Sequence, residues 1–318
     1  MKDRNRNRNR TVKKGTRDKK NKTLNKDTCS PYSRGRRVVS KSCFTKGIIL
    51  DLKSTYNRSQ TDKTKQITSK DPIEIHKVLQ ERLPYCKKES CWVQNIAKDN
   101  VKTKLLSLLF APPQPDEWRN KPNTWLTNYD ILGVLRQYEY TFPQFYFIGP
   151  SAIDYDYRKQ DEEMRCVCPN LCNFSLNEQY VKGKRKFGVI FNLDKHNQEG
   201  SHWVSLFIDI DERFVFYFDS TSDSIPTEIN RFISTVMRQG NEMVPQIEFT
   251  RYENKKMEHQ RQNNECGMYS LFFIITMLIR EKDGQKLTSN DVIKLFLGKK
   301  GRIPDKDMNV LRDTYFSK

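Results

Sequence analysis

Apolar positions follow two regimes along this chain. In its first part they recur at helical spacing; after about residue 117 they gather into short solid strips. Behind Asp71-Pro72, the residues Ile73, Ile75, Val78, Leu79 and Leu83 mark one helix face, with proline near the first turn. Cys91-Trp92-Val93 and the run from Val101 to Phe110 predict more helix, and Ala111-Pro112-Pro113-Gln114-Pro115 breaks it. Residues 71–116 therefore read as a small helical subdomain.

From about Glu117 the pattern changes. Asn128 is a plausible cap for a helix over Tyr129 to Tyr138, striped by Ile131, Leu132 and Leu135. Four strips rich in β-branched and aromatic residues predict strands over 187–193, 203–210, 213–219 and 246–252. Asp211-Glu212 is a tight-turn signal that pairs the second and third as a hairpin. Residues 226–238 read as a helix, and 268–279, apolar on all sides, as a buried one. Two amphipathic helices follow Thr288-Ser289-Asn290 and Pro304. No internal repeat is present.

Charge divides the chain differently. The formal net charge is +18 over 318 residues. Residues 1–70 hold 22 Lys and Arg against 5 Asp and Glu, which leaves the remainder nearly neutral. So basic a stretch, opening on Arg4-Asn5-Arg6-Asn7-Arg8-Asn9-Arg10, has little apolar surface to offset chain entropy and is expected to be a disordered tail. Its uses are contact with nucleic acid through phosphate neutralisation, a nuclear address, or solubility. No apolar segment follows the charges as in a secretory signal. The longest apolar run is shorter than the roughly 20 residues that cross a bilayer, so no membrane partner is expected. The eight cysteines, with a large core available, suggest an intracellular, reducing setting rather than a disulfide scaffold. Zinc on Cys166, Cys168 and Cys172, completed by Cys86, Cys91 or His196, lacks a CxxC pair and an evident fourth ligand, so no metal or cofactor is expected.

Within the core, three residues have the chemistry of a thiol hydrolase in the order His202, Asp219, Cys266. His202 begins one strand of the hairpin and Asp219 ends its neighbour, so antiparallel pairing brings carboxylate to imidazole. Cys266 opens the buried helix, where free backbone N–H groups and the helix dipole favour a thiolate and can later hold an oxyanion. Gly267 would admit substrate backbone. Glu265 works against the thiolate unless it points to solvent. Gln260 and Gln262 each offer a side-chain amide to the oxyanion. His196 and His259 read as loop residues, His259 at the surface, and His76 as lying on a helix face.

Ser201-His202-Trp203-Val204, Tyr217-Phe218-Asp219-Ser220, Gln260 with Glu265-Cys266-Gly267-Met268-Tyr269, and Trp125-Leu126 before a helix together resemble the SUMO-specific cysteine protease superfamily (clan CE) over about 150 residues. The run from Phe187 to Asp194, leading into Gly200-Ser201-His202-Trp203, looks like the branch that holds the maturation proteases of adenoviruses and large DNA viruses. The resemblance implies an α+β fold: a papain-like, adenain-like core with a central, mainly antiparallel sheet flanked by helices, a nucleophile at a buried helix N-terminus, and a helical N-terminal extension. It implies His202 as base, Asp219 as its orienter, Cys266 as nucleophile, Gln260 as oxyanion donor with Gln262 in reserve, and Trp125 and Trp203 as tunnel walls that admit glycine.

The organisation expected is a tail over 1–70, a helical subdomain over 71–116 and a catalytic domain over 117–318. The leading expectation is a viral endopeptidase that cleaves structural precursors at Gly-Gly-X or Gly-X-Gly sites inside a virion. Removal of SUMO or ubiquitin in the cytoplasm or nucleus is the alternative, and a nucleic-acid-binding protein on a dead protease fold is a third.

Overall fold

A five-stranded sheet carries the core of the computed structural model, which describes residues 27–39, 42–158 and 164–318. Among the described residues the first five helices are α1 (Pro31–Arg34), α2 (Lys46–Ser59), α3 (Pro72–Arg82), α4 (Glu89–Ile96) and α5 (Asp99–Leu109). Then come α6 (Asn128–Thr141), β1 (Phe145–Ala152), α7 (Pro169–Cys172), α8 (Leu176–Val181), β2 (Lys186–Asn192), β3 (Trp203–Asp209), β4 (Phe214–Phe218), α9 (Thr227–Glu242), β5 (Thr250–Glu253) and α10 (Cys266–Ile279). A two-residue ribbon, β6 (Glu281–Lys282) and β7 (Gln285–Lys286), leads to α11 (Ser289–Phe296) and α12 (Asp305–Tyr315).

Strands lie in chain order, β1 to β5. The central pairings β2–β3 and β3–β4 are antiparallel, but β1–β2 and β4–β5 are parallel. The sheet is thus mixed rather than mainly antiparallel, because α9 carries the chain back from β4 so that β5 runs alongside it. Both faces are covered. Phe214, Phe216 and Phe218 of β4 pack with Phe207 of β3 against α10, while Val215, Tyr217, Leu206 and Ile208 pack on the other face against α9. Alternation of this kind, buried on both sides, is why the strands read as solid apolar strips. The sheet meets α10 closely at Gly188, where a Cβ would lie 2.9 Å from Ile274 and 3.0 Å from Phe145.

The N-terminal region departs from the expected layout. Residues 1–26, the most basic part of the expected tail, lie outside the described residues. Residues 27–39 and 42–70 are built into the helical unit instead. Phe44, Ile49, Leu52 and Ile67 are buried with Ile75, Leu79, Trp92 and Leu109 in one cluster. Thr45 caps α2 by accepting from the Ile48 N–H, and the Cys43 N–H donates to the buried Glu89 carboxylate at 2.7 Å. Few but well-spaced apolar residues suffice here, because the charges of α2 lie on its outer side.

The expectation that the cysteines are unpaired is also corrected. Disulfides join Cys29 to Cys43, Cys86 to Cys91 and Cys166 to Cys172, with Cα atoms 5.1, 5.4 and 6.5 Å apart. Those separations suit a bridge, whereas sequence supplies only the count. Cys168 and Cys266 keep free thiols. Cys166, Cys172, Cys86 and Cys91 are thus taken from the zinc set, and His196 pairs with Asp154 at 2.7 Å. No described helix is long and apolar enough to cross a membrane.

Candidate active site

The β3–β4 hairpin sets the first contact. Its last pairs are Leu206 opposite Tyr217 and Ser205 opposite Phe218, and just beyond them Thr221 Oγ1 lies 3.5 Å from His202 Nε2. His202 Nε2 donates to Asp219 Oδ1 at 2.7 Å. The same oxygen accepts from the Thr221 N–H at 3.0 Å and its hydroxyl at 2.9 Å, so Asp219 both caps the following turn and orients the ring.

Asp219 is fully buried, and its backbone is fixed by a residue the sequence did not single out. The Asp219 N–H donates to Asn254 Oδ1 at 2.9 Å, while Asn254 Nδ2 donates back to the Asp219 carbonyl at 2.6 Å. Asn254 is itself buried just beyond β5. An amide that satisfies both peptide groups of one residue leaves its carboxyl direction little freedom.

Upstream of His202 a second local network sets the approach. Asn192 Oδ1 accepts from Asp194 N–H at 3.0 Å, and Ser201 Oγ donates to Asp194 Oδ1 at 2.8 Å. Gly200 takes φ +97° there, and a Cβ would come within 2.7 Å of Asn192. Only glycine suits that close, left-handed corner.

Cys266 is the first residue of α10 and is buried. It lies near enough to the His202 ring to act on its charge, and the ring's Nε2 is bonded to Asp219. Burial pulls the imidazole pKa down, but Asp219 and Cys266 outweigh it and hold the ring at about 10. At neutral pH His202 is accordingly an imidazolium, the natural counter-ion of a thiolate.

The two glutamines separate cleanly. Gln260 is buried, its Oε1 accepting from Ser220 Oγ at 2.8 Å and its Nε2 donating to the Gln262 carbonyl, which leaves one amide hydrogen over. Gln262 has an exposed side chain. His259, expected at the surface, is buried instead: Nδ1 accepts from the Ile303 N–H and Nε2 donates to the Phe296 carbonyl, each at 3.0 Å. Burial lowers its pKa, so it anchors the segment before Gln260 as a neutral ring.

Other expected contacts are redrawn. Gly267 does not open toward substrate; a Cβ there would meet Leu126 at 3.0 Å, so its missing side chain admits the core. Trp203 is buried and its indole N–H donates to the Leu126 carbonyl at 3.1 Å, while Trp125 is 41% exposed. Glu265 points inward, fully buried, and is ion-paired with Arg312 at 2.9 Å.

A thiol, an imidazolium and a carboxylate meeting at the head of a buried helix can attack a carbonyl and protonate a leaving amine. Residues 184–308, the span that holds His202, Asp219, Gln260 and Cys266, match the Ulp1 protease family, C-terminal catalytic domain. The likeness to this family covers less than half of the chain. Members of this family hydrolyse peptide bonds, and viral relatives are among those similar to it. A protein of Acanthamoeba polyphaga mimivirus that carries a thiol-protease name is 34% identical over 170 residues, 52% of this chain and 51% of that protein. The cysteine protease of an African swine fever virus isolate from Malawi is 28% identical over 243 residues, 68% of this chain and 85% of that protein. The crystal structure of the African swine fever virus protease superposes with a TM-score of 0.58 and 22% identity, covering 92% of this chain and 97% of that one, so the two share a fold.

Proposed function

We propose that this chain is a cysteine endopeptidase that cleaves after glycine, at Gly-Gly-X or Gly-X-Gly sites, in viral structural precursors within the particle. The observation that carries the reading is the His202 ring, bonded to buried Asp219 at 2.7 Å and raised in pKa by Asp219 and by Cys266 at the head of α10. The thiolate attacks the scissile carbonyl, and the oxyanion takes N–H donors at the start of α10 with the remaining Gln260 amide hydrogen. His202 passes its proton to the leaving amine, and the acyl group stays on sulfur as a thioester. The neutral ring then takes a proton from water as that water attacks the thioester, which frees the acid product and restores the pair. The exposed Trp125, next in the chain to the Leu126 that packs at Gly267, would favour a strand without side chains. Viral relatives support the setting, and the basic residues 1–26 would tether the enzyme to packaged nucleic acid.

A second reading has one observation in its favour. A relative from a Kenyan African swine fever virus isolate, 28% identical over 243 residues, is named a SUMO-1 cysteine protease. The same centre would then release a ubiquitin-like modifier.

One experiment separates them. Wild-type and Cys266→Ala proteins are each incubated with short Gly-Gly-X peptides and with folded SUMO and ubiquitin precursors, and products are read by mass spectrometry. Cysteine-dependent cleavage of the short peptides is expected. Cleavage of the folded precursors alone would overturn the maturation reading in favour of the second.

A further inference from the structure

Glu265 immediately precedes Cys266 and is sealed from solvent. A carboxylate so placed disfavours ionisation of the neighbouring thiol. Its Oε2 accepts from Nε and Nη2 of Arg312 at 3.3 and 2.9 Å, and Arg312, on α12, is itself 4% exposed. The remaining nitrogen, Nη1, donates to the Thr124 carbonyl at 3.1 Å, and the guanidinium lies over the Trp118 ring, 4.4 Å from its centroid. Thr124 leads through Trp125 to Leu126, which rests on Gly267 and receives the Trp203 N–H. A single side chain thus joins the cap of the nucleophile helix to the segment that lies against it.

We propose that Arg312 is a positioning residue of the active site, cancelling the Glu265 charge beside Cys266 and holding the Thr124–Leu126 segment against the head of α10. The inference rests on Cys266 being the nucleophile. Other charges around this pair are His202 and Asp219 at the hairpin ends, and Asp305 at the start of α12, which adds repulsion to Glu265 and is itself paired with Arg302. Among the described residues Arg312 is the cation bonded to Glu265. Its planar fork can serve two acceptors at once, which an ammonium cannot do in the same geometry.

The test follows iodoacetamide alkylation of Cys266 in the full chain, quantified at that residue by peptide mass spectrometry across pH. Arg312→Met is expected to raise the alkylation midpoint by about one unit, slowing reaction near neutrality about tenfold. Glu265→Gln is expected to lower the midpoint, and Glu265→Gln/Arg312→Met to return it to within about twofold of the wild-type rate. Should Arg312→Met not fold, Glu265→Gln decides alone, and an unmoved midpoint overturns the charge role. Arg312→Lys keeps the charge but loses the fork: its midpoint stays, while KM for a Gly-Gly peptide rises several-fold with kcat less affected. An unchanged KM overturns the positioning role. Unmoved profiles in protein that still cleaves through Cys266 sink this inference alone, whereas cleavage by Cys266→Ala would sink the nucleophile assignment beneath it.

Discussion

His202 and Asp219 meet, Nε2 to Oδ1 at 2.7 Å, just beyond the last pair of the β3–β4 hairpin, with Thr221 Oγ1 3.5 Å from the same nitrogen. The aspartate reaches the ring only because its backbone is held by Asn254 and its carboxylate by Thr221. Spacing along the chain is thereby converted into a fixed ring orientation.

Cys266→Ala and His202→Ala are expected to abolish peptide cleavage while the far-ultraviolet circular dichroism stays that of wild type. Cleavage surviving at more than about a thousandth of the wild-type rate in Cys266→Ala would remove the thiol mechanism.

The His202 pKa supplies the pH dependence. Raised from 6.5 to about 10, it keeps the imidazolium through neutrality, and activity is expected to fall as pH climbs through about 10. Stability follows with the same sign: the contribution of His202 is complete below about 6.5 and is lost as pH rises toward 10. Asp219→Asn removes the nearest anion, so the alkaline limb of kcat/KM should move toward lower pH and kcat fall by about 10²- to 10⁴-fold. An unmoved limb would mean that Asp219 does not set the ring's charge.

Asn254→Ala leaves the Asp219 N–H and carbonyl unpaired in a buried site. A loss of about 1–3 kcal/mol in urea unfolding is expected. A drop in kcat larger than the change in KM should accompany it, since the bound substrate is not touched. Equal effects on both would point to a wider disturbance.

Gly267→Ala should press its methyl on Leu126 and displace the Trp125 segment. KM for a Gly-Gly peptide is expected to rise, and steady-state kinetics with intact thermal unfolding would show it. A variant with wild-type KM would show that Leu126 yields freely.

Deleting residues 1–26 removes 12 Lys and Arg against 2 Asp and Glu and leaves every described residue in place. DNA affinity should fall and its salt dependence flatten, with peptide cleavage unchanged. Binding that persists with the same salt slope would exclude the tether.

What the residue pattern revealed depended on how uniform each element is. The helix α10 has 13 of its residues buried and announced itself as one apolar run. The strands β2 to β4, buried on both faces, were equally legible. By contrast β1 went unrecognised, since Gly149-Pro150 lies inside it and the register breaks between Ile148 and Ser151, features that argue against a strand. The strip over 246–252 shrank to Thr250–Glu253, because β5 pairs only with β4 at the sheet edge. Charge concealed the fold of residues 27–70, where a handful of buried apolar residues outweigh an unfavourable composition. At the candidate site, residue type alone drew attention to His202, Asp219 and Cys266, whereas Asn254 and Arg312 are brought there by geometry that only the tertiary structure creates. Between the glutamines, burial of Gln260 and exposure of Gln262 separate two residues that spacing alone left equal.

Thr28 donates from its N–H to Ser317 Oγ at 3.3 Å and from its hydroxyl to the Asp313 carbonyl, while Arg34 donates to the Thr314 carbonyl at 2.6 Å. The helical unit is therefore latched onto α12, almost 290 residues downstream. During synthesis those latches, and the Arg312 grip on Glu265, can form only after α12 leaves the ribosome. Until then Glu265, at the head of α10, lacks the cation bonded to it, so that end of the helix is finished only once α12 has been made.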